Sequence, residues 1–190
     1  MTETSTPQCT PQIIIRAQQG DSQAIGEIYE CYRINIFRYL YYRTGDGQTA
    51  DDLTSEVFLR MIRSLSSYRK QEVAFLAWLF QIAHNLLTDH YRKMSYRNHL
   101  ELEDQQMVLH ESGSHPHGEA RLNSLALRQA LERLNEEQRD VIVMRFVTGM
   151  PISEVAQALN KSEDAVKGLQ RRGLAALRDV LSDWEVNYAA

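Results

Sequence analysis

The stretch PISEVAQALNKSEDAVKGLQRRGLAAL, residues 151–177, predicts two helices joined by a tight turn. Pro151 suits the first position of a helix, because a proline at that position costs no intrahelical hydrogen bond. Asn160 can take the left-handed conformation that a short turn between helices needs, and Ser162 can cap the helix that follows. Ala156 is small at the point where the two helices must approach closely. The stretch therefore predicts a helix-turn-helix, a motif found in many DNA-binding proteins.

The outward side of the second helix carries the groups that a recognition helix needs. Lysine and arginine can bind phosphates and guanine edges, whereas glutamine and acidic side chains can bind adenine and cytosine edges. The candidate DNA-binding residues are Lys161, Ser162, Glu163, Asp164, Lys167, Gln170, Arg171 and Arg172. The alternative is an ordinary surface helix, with Glu163 and Lys167 paired at i,i+4 spacing. Gly168 costs roughly 1 kcal/mol relative to alanine inside a helix, and it either permits a close backbone approach or has no role.

Helical periodicity extends upstream of this motif to Leu122. A helix that starts there ends before Asn135, which forms a capping-box pattern with Gln138. The next helix ends at Gly149. The apolar residues expected in the core of this module are Leu125, Leu131, Leu134, Val141, Ile142, Met144, Phe146, Val155, Leu159, Val166, Leu169, Leu174, Leu177 and Leu181. The pattern predicts a four-helix domain that ends in the helix-turn-helix.

The N-terminal half of the chain predicts three more amphipathic helices. The first runs from Asp21 to Thr44, with Asp21 or Ser22 as its cap, and the glycines at 45 and 47 suit its end. The second carries Asp51 and Asp52 in its first turn, where carboxylates interact favourably with the helix dipole. The third begins near Phe75, after a short basic loop. Three such helices with short connections can bury a shared core as a helical bundle.

Aromatic side chains lie among basic ones between Tyr68 and Lys93, a pattern that suits single-stranded DNA. Bases can stack on the rings while arginine and lysine follow the backbone. The candidates are Tyr68, Arg69, Lys70, Trp78, Asn85, Asp89, His90, Tyr91, Arg92 and Lys93. The alternative for Trp78 is a place in the core, and the alternative for His84 and His90 is a place on the helix surface.

The composition is that of a globular protein with an acidic balance. The 190 residues are 43% hydrophobic and 24% charged, with a formal net charge of −4. Because non-specific DNA affinity comes mainly from neutralised phosphates, an acidic chain binds DNA poorly by itself. Two DNA-facing modules on such a chain indicate that a larger partner supplies the missing affinity. No apolar run approaches the ~20 residues that span a bilayer, so we expect no membrane insertion and a cytoplasmic location.

The composition also changes along the chain and suggests domain boundaries. Residues 1–12 are rich in threonine, proline and glutamine and predict a disordered tail. Residues 96–121 are acidic and contain glycine, proline and histidine, which predicts a linker. The domains expected on either side of that linker are residues 13–95 and 122–184.

Nothing in the sequence favours catalysis or a bound cofactor. The linker histidines are His99, His110, His115 and His117. A linker of this composition does not provide the fixed geometry that a metal site needs, so we expect no metal. Cys9 and Cys31 form no metal-binding spacing and are expected as isolated thiols.

Three blocks of sequence, in their order and spacing, resemble one family. They are ADDLTSEVFLR at 50–60, FLAWLFQIAHNLLTDHYR at 75–92, and LNEEQRDVIVMRF at 134–146 followed by ISEVA at 152–156 and AVK at 165–167. Together they resemble a bacterial RNA polymerase sigma factor of the two-domain extracytoplasmic-function (ECF) type, in the sigma-70 family. The first block is similar to the helix with which members of that family bind the polymerase. The second resembles the helix that melts the promoter and reads the −10 element, and the third resembles the domain that reads the −35 element.

The resemblance implies an all-α fold, with two small helical domains joined by a flexible acidic linker, and a non-enzymatic role in starting transcription at specific promoters. The clamp helices of the polymerase's largest subunit would bind Asp51, Asp52, Leu53, Glu56 and Phe58. The loop Ser66–Val73 would hold a flipped −10 base, whose extraction costs a few kcal/mol. The linker would lie in the positively charged RNA-exit path. The flap of the second-largest subunit, promoter DNA and a separate anti-sigma factor are the other implied partners.

Two departures from the family pattern concern the docking and recognition helices. Ser55 stands where glutamine is common in the docking helix. The recognition helix reads VKGLQRRG at 166–173, where many members have SRLHRA after the lysine. The main alternative function is a stand-alone helix-turn-helix regulator with an N-terminal dimerisation or sensing domain, which predicts tight palindromic binding without polymerase. A metal-dependent nuclease that uses the linker histidines is a third class.

Overall fold

The computed structural model describes residues 10–69, 72–101 and 119–188, and the regular structure of these ranges is helical, as the sequence predicts. The helices are α1 (Pro11–Gln18), α2 (Ser22–Thr44), α3 (Gly47–Ser64), α4 (Phe75–Glu101), α5 (Glu119–Glu132), α6 (Glu136–Ile142), α7 (Ile152–Ala158) and α8 (Glu163–Tyr188). A 3₁₀ turn, Leu65–Ser67, follows α3, and a π-helical turn, Val143–Val147, continues α6. The helices before and after the predicted linker correspond to the two helical domains.

Local capping sets both ends of α2. The Asp21 carboxylate accepts hydrogen bonds from the backbone N–H groups of Gln23 and Ala24, at 2.9 and 3.2 Å. Gly45 ends the helix in the left-handed conformation, with φ +74°. A residue with a Cβ is strained at that angle, so the glycine is required there. The predicted bounds of this helix are confirmed.

The start of α3 differs from the prediction. Asp46 caps the helix by accepting a hydrogen bond from the Thr49 N–H at 2.7 Å, and the helix begins at Gly47. Asp51 and Asp52 therefore lie in the second turn rather than the first, where the helix dipole is weaker. Gly47, the second glycine of the pair expected at the end of α2, is instead the first residue of α3.

Helix α1 was not predicted, because residues 1–12 were expected to form a disordered tail. Pro11 starts this helix, and Ile14 and Ala17 are buried on the rest of the bundle. The Gln18 side chain ties it to the turn after α3 by donating to the carbonyl oxygens of Leu65 and Tyr68, at 2.9 and 3.1 Å. Residues 1–9 lie outside the described ranges.

Helix α4 continues to Glu101, so the start of the segment predicted as a linker from residue 96, where the sequence also allows a weak helix, is part of this helix. Acidic residues are good helix formers and do not end a helix, whereas proline and glycine do. The first such residue after Phe75 is Gly113. Residues 102–118, which include three of the four linker histidines, lie outside the described ranges.

The caps and turns of the C-terminal domain follow the sequence closely. Asn135 caps α6 by accepting from the Gln138 N–H at 2.9 Å. Asn160 takes the left-handed conformation with φ +50° in the turn between α7 and α8. Ser162 Oγ accepts from the Ala165 N–H at 3.2 Å and so caps α8. Pro151 stands one residue earlier than predicted, as the N-cap of α7 rather than its first helical residue.

Two residues that were expected in the C-terminal core are exposed. Phe146 follows the start of the π-helical turn, which adds a residue to one helical turn and so rotates the positions after it. Leu174 lies five positions after the buried Leu169, a rotation of about 140° around α8. Their side chains are 55% and 42% exposed.

The glycine that allows close packing of α8 is Gly173, not Gly168. A Cβ at Gly173 would lie 2.9 Å from Cγ1 of the buried Ile142, whereas a Cβ at Gly168 would meet only the mobile end of Arg172 at 3.4 Å. The backbone of α8 at Gly173 therefore packs directly against the Ile142 side chain of α6.

Cys31 was expected as a free thiol, and it is disulfide-bonded. Sequence spacing does not report which cysteines approach in space, so this expectation was wrong. The other cysteine of the chain, Cys9, lies outside the described ranges.

Candidate nucleic-acid interface

The outer side of α3 carries four of the five residues expected to dock on a partner. Asp51 and Asp52 are exposed, and Leu53 and Glu56 are half-buried. The Glu56 carboxylate accepts a hydrogen bond from Arg60 Nε at 3.0 Å, one turn further along the helix. This pair lies on the surface, so it contributes little to stability and leaves both charges available to a partner.

Phe58, the fifth residue, is buried. Its ring meets Tyr29 of α2 edge-on, with 4.8 Å between ring centroids. The apolar part of the outer side consists instead of Leu59 and Ile62, which are 47% and 45% exposed. Sequence reasoning did not select these two residues, because exposed and buried apolar positions look alike in an amphipathic helix.

The side chain of Tyr68 holds the loop before α4 in place. The Tyr68 hydroxyl donates to the Val73 carbonyl oxygen at 2.9 Å, and its ring packs against Phe75 and Trp78 with 5.0 Å between centroids in each case. Arg69 is exposed, but its Nη1 donates to the carbonyl oxygens of Ser66 and Tyr68. Tyr68 thus supports the loop, and its expected contact with DNA stays a prediction. Lys70 lies outside the described residues.

One face of α4 carries four of the predicted −10 residues in line. Trp78, Asn85, Asp89 and Arg92 are spaced seven, four and three positions apart, which places them on the same side of a helix. Asn85 and Arg92 are exposed, while Trp78 and Asp89 are half-buried. Arg92 Nη2 donates to Asp89 Oδ1 at 2.9 Å. An amide, a carboxylate and a guanidinium beside an indole ring can bind base edges, phosphates and a stacked base.

The remaining predicted residues of α4 lie beside this face. His90 is half-buried with its ring 5.8 Å from that of Tyr91, and Lys93 is exposed. We name the four aligned residues Trp78, Asn85, Asp89 and Arg92 the α4 face.

The exposed side of α8 carries most of the predicted −35 residues. Those that are exposed are Ser162, Glu163, Asp164, Lys167, Arg171 and Arg172. Lys167 Nζ pairs with Asp164 Oδ1 at 3.1 Å, rather than with Glu163. Both members of this pair remain open to solvent, so a phosphate can replace the carboxylate.

Lys161 has a structural partner across the turn. Its Nζ donates to Glu137 Oε1 of α6 at 2.7 Å, and this hydrogen bond lowers the pKa of Glu137. The side chain of Lys161 is half-buried by that contact. It therefore positions the turn in addition to any contact with DNA.

Gln170 is held by a residue that the sequence did not single out. Arg145, in the π-helical turn, donates from Nε to Gln170 Oε1 at 3.2 Å. Arg145 Nη1 also donates to the Met150 carbonyl oxygen, just before α7. The amide oxygen of Gln170 thus faces Arg145, and its NH₂ group is left to donate to a ligand.

A buried ion pair joins the two helical domains. Arg43 Nε of α2 lies 2.7 Å from Asp140 Oδ1 of α6, and the side chains are only 4% and 5% exposed. The N–H is not aligned on a hydrogen-bond acceptor, so the contact is ionic rather than directional. The Tyr39 hydroxyl completes the site by donating to Asp140 Oδ1 at 2.7 Å. Complete burial raises the pKa of Tyr39 well above its ordinary value.

His84, expected as a surface histidine, is half-buried and also contacts this site. Its Nδ1 lies 3.2 Å from the Tyr39 hydroxyl and 3.5 Å from Asp140 Oδ2. Sequence periodicity could not show this, because the neighbouring groups come from α2 and α6. We name Tyr39, Arg43, His84 and Asp140 the interdomain cluster.

Backbone groups make further contacts between the domains. In α7, the Gln157 side chain accepts from the Ala74 N–H at 3.0 Å, and the Gln157 carbonyl oxygen accepts from Gln81 Nε2 at 2.7 Å. Asn35 Nδ2 of α2 donates to the Thr148 carbonyl oxygen at 3.2 Å. Helix α7 therefore lies on the start of α4, next to the α4 face.

Two kinds of feature are absent from residues 10–69, 72–101 and 119–188. Among the helices of these ranges, none combines the length and the apolar character needed to cross a membrane. Within the same ranges, no group of three or more His, Cys, Asp or Glu side chains is arranged to hold a metal ion.

Comparisons with known proteins identify the family. The model of Sigma-70 region 2 matches residues 28–96, and that of Sigma-70 region 4 matches residues 130–179. The ECF RNA polymerase sigma factor BldN of Streptomyces coelicolor is 37% identical over 175 residues, which cover 90% of this chain and 66% of that protein. The ECF RNA polymerase sigma factor SigX of Bacillus subtilis is 30% identical over 161 residues and 80% of each chain. CnrH, solved in complex with the cytosolic domain of CnrY, has a similar fold, with a TM-score of 0.72 and 23% identity over 90% of this chain and 96% of that chain. The chain therefore belongs to the ECF RNA polymerase sigma factors of the sigma-70 family.

Proposed function

We propose that this sigma factor binds core RNA polymerase through α3 and directs it to promoters, reading the −10 element with α4 and the −35 element with α8. The observation that carries the proposal is the presence of two separate exposed polar surfaces on a chain with net charge −4. Such a chain lacks the phosphate contacts that hold a protein on DNA. Core polymerase supplies these contacts, and the sigma factor supplies the choice of sequence.

The docking surface proposed on α3 combines charge with apolar anchors. Leu59 and Ile62 provide apolar area that is exposed in the free chain and can be buried by a partner, which is where most binding energy arises. Asp51, Asp52 and Glu56 add orientation and faster association with a basic surface. The partner surface is the pair of clamp helices in the largest polymerase subunit.

The −10 element is proposed to contact the α4 face after a base has left the stack. Asn85 and Asp89 can bind the edge of an extruded base, and Arg92 can bind a phosphate beside it. The exposed part of the half-buried Trp78 ring can stack on the base, which returns part of the cost of flipping. Arg69, Lys93 and the other basic residues nearby follow the backbone.

The −35 element is proposed to receive α8 in its major groove. Lys167, Arg171 and Arg172 are exposed and can bind phosphates or guanine edges. Gln170 acts as a hydrogen-bond donor, because Arg145 holds its amide oxygen. It therefore prefers a base that presents an acceptor in the major groove, such as guanine O6 or N7 or thymine O4.

The other proposed partners are the flap of the second-largest subunit and a separate anti-sigma factor. Phe146 and Leu174 are exposed apolar residues of the C-terminal domain and can anchor the flap. An anti-sigma factor would cover the polymerase-facing or DNA-facing surfaces, where exposed charges and apolar side chains offer it contacts. The cytoplasm, where transcription occurs, is the proposed location.

Run-off transcription with purified bacterial core polymerase on a promoter library tests the function. We expect promoter-specific transcripts only when the chain and core enzyme are combined. Leu59→Glu should abolish these transcripts without unfolding the chain, because it places a charge in the docking surface. Leu127→Glu is the matched control, since Leu127 is an exposed leucine of α5 outside that surface.

Two results would overturn this proposal. One is a failure of the intact chain to associate with core polymerase. The other is nanomolar, palindrome-specific DNA binding by the chain alone, which would instead support the stand-alone regulator.

A further inference from the structure

Helix α1 is fixed on the N-terminal bundle by apolar and charged contacts. Ile14 and Ala17 are buried in the core. Arg16 Nε donates to Oδ2 of Asp21, the residue that caps α2, at 2.7 Å. The helix precedes residues 28–96, which the Sigma-70 region 2 model matches, so that match assigns it no role.

The last residue of this helix reaches the turn that follows α3. Gln18 Nε2 donates to the Leu65 carbonyl oxygen at 2.9 Å and to the Tyr68 carbonyl oxygen at 3.1 Å. An amide NH₂ group has one hydrogen for each of these acceptors. The Leu65 carbonyl oxygen also accepts from the Tyr68 N–H at 3.2 Å, which closes the turn. Gln18 therefore holds the closed turn at both of its ends.

The position of this turn decides where the Tyr68 ring lies. Tyr68 is only 5% exposed, and its ring centroid lies 5.0 Å from that of Trp78, a member of the α4 face. A side chain that reads a ligand must be held in one geometry by the packing and hydrogen bonds behind it. Gln18 fixes the backbone of Tyr68, and Tyr68 supports Trp78, so the contacts of α1 extend to the α4 face.

We propose that Gln18 is a positioning residue for −10 recognition, which acts through the turn after α3 on Tyr68 and Trp78. The inference rests on the proposed function, because that function assigns −10 reading to the α4 face. Without the two hydrogen bonds, the turn adopts other conformations, and the α4 face is formed in only a fraction of the chains. A base that fits the formed face loses affinity by that fraction. A base that fits poorly loses less, so discrimination between bases falls.

The test compares replacements that remove the donor with one that keeps it. Gln18→Glu preserves the shape but places a carboxylate against two carbonyl oxygens. Gln18→Met preserves the length without a donor or a charge, and it decides the question if circular dichroism shows that the glutamate variant does not fold. Gln18→Lys retains a donor that can reach both oxygens. Gln19→Glu is the matched control, since it introduces the same charge at the neighbouring, exposed residue.

The functional measurement is core-dependent transcription by the full-length chain from templates with each base at each −10 and −35 position. Gln18→Glu and Gln18→Met should each lower the preference for the best −10 base about tenfold, through the loss of two hydrogen bonds. Their −35 preferences and their affinity for core polymerase should not change. Gln18→Lys and Gln19→Glu should keep the wild-type −10 preference. A purely structural role of Gln18 would instead lower the −10 and −35 preferences together.

A second measurement needs neither DNA nor polymerase. The chain has two tryptophans, Trp78 and Trp184, so Trp184→Phe leaves Trp78 as the single indole. Quenching of its fluorescence by acrylamide reports the exposure of the ring. In this background, Gln18→Glu and Gln18→Met should raise the quenching constant about twofold, because local opening of the turn uncovers the ring. Gln18→Lys should leave the constant unchanged.

The proposal is overturned if folded Gln18→Glu and Gln18→Met variants keep the wild-type −10 preference or the wild-type quenching of Trp78. It is also overturned if Gln18→Lys loses as much as they do, since the shape of the side chain and not its hydrogen bonds would then be responsible. Failure of the proposed function is read separately, from an absence of core-dependent transcription by the wild-type chain. In that event the quenching measurement still decides whether Gln18 positions Trp78.

Discussion

Two ion pairs in this sigma factor have opposite surroundings. Arg43 and Asp140 lie 2.7 Å apart with side chains 4% and 5% exposed, whereas Lys167 and Asp164 lie 3.1 Å apart with side chains 55% and 92% exposed. Removing one partner of the first pair leaves a charge without water, and removing one partner of the second exposes a charge that water already solvates. Burial therefore separates the charges that hold the two domains together from those that remain available to DNA.

The largest predicted effect is on the free energy of unfolding, which should fall for the buried pair and hardly change for the exposed pair. Arg43→Met should lower the free energy of unfolding by about 3 kcal/mol, because it leaves Asp140 buried without its cation. Lys167→Met should change it by less than about 0.5 kcal/mol. Urea unfolding followed by far-UV circular dichroism measures both. Equal losses in the two variants would show that the buried pair has no special role.

The two glycines of α8 show the same contrast between a packed and an open position. Gly173 is packed against α6, whereas Gly168 lies on the more open side of the helix. Gly173→Ala should cost about 1–3 kcal/mol, because the new Cβ would lie 2.9 Å from Ile142 Cγ1 and force the helices apart. Gly168→Ala should be neutral or stabilise by up to about 1 kcal/mol, since it improves helix propensity and meets only the end of Arg172. Thermal unfolding of the two variants gives the comparison. A destabilised Gly168→Ala with a stable Gly173→Ala would reverse the assignment of the two sides.

The sequence was most informative where structure depends on neighbouring residues. Asp21, Gly45, Asn160 and Ser162 each act within a few positions of their own place in the chain, so their caps and turns could be predicted. The N-terminal half also gave a wrong helix start at α3 and a missing helix, α1. There the composition of the segment resembled a loop or a tail, and contacts with distant residues decided the outcome.

Contacts over long distances in the chain were not predictable. Tyr39 and Asp140 are 101 positions apart, and Asp140 stands in a charged stretch of α6 that looks solvent-exposed in the sequence. The π-helical turn also produced contacts that the sequence did not predict, between residues that are closer along the chain. It changes the register after Val143, which exposes Phe146 and brings Arg145 to Gln170, 25 positions away.

A third prediction concerns Gln170, whose half-buried side chain is intermediate between the buried Arg43–Asp140 pair and the exposed Lys167–Asp164 pair. Gln170→Glu keeps an acceptor for Arg145 but replaces the donor NH₂ with a second oxygen. The preferred −35 base at one position should therefore change by about tenfold toward cytosine, whose N4 amino group is a donor. Core-dependent transcription from templates with each base at each −35 position measures this preference. Unchanged preferences at every position would place Gln170 off the DNA.

The smallest expected effect is that of Asp164→Asn on the exposed pair. Stability should change by less than about 0.5 kcal/mol, because water solvates Lys167 when the carboxylate is removed. Binding of the holoenzyme to promoter DNA should become about two- to threefold tighter, since a negative charge near the phosphates is lost and Lys167 is released. Filter binding at several salt concentrations separates this charge effect from a specific contact. Weaker binding to templates with cytosine in the −35 element would mean that Asp164 itself accepts a hydrogen bond from a base. In that case, exposure alone would not distinguish the charges that repel DNA from those that read it.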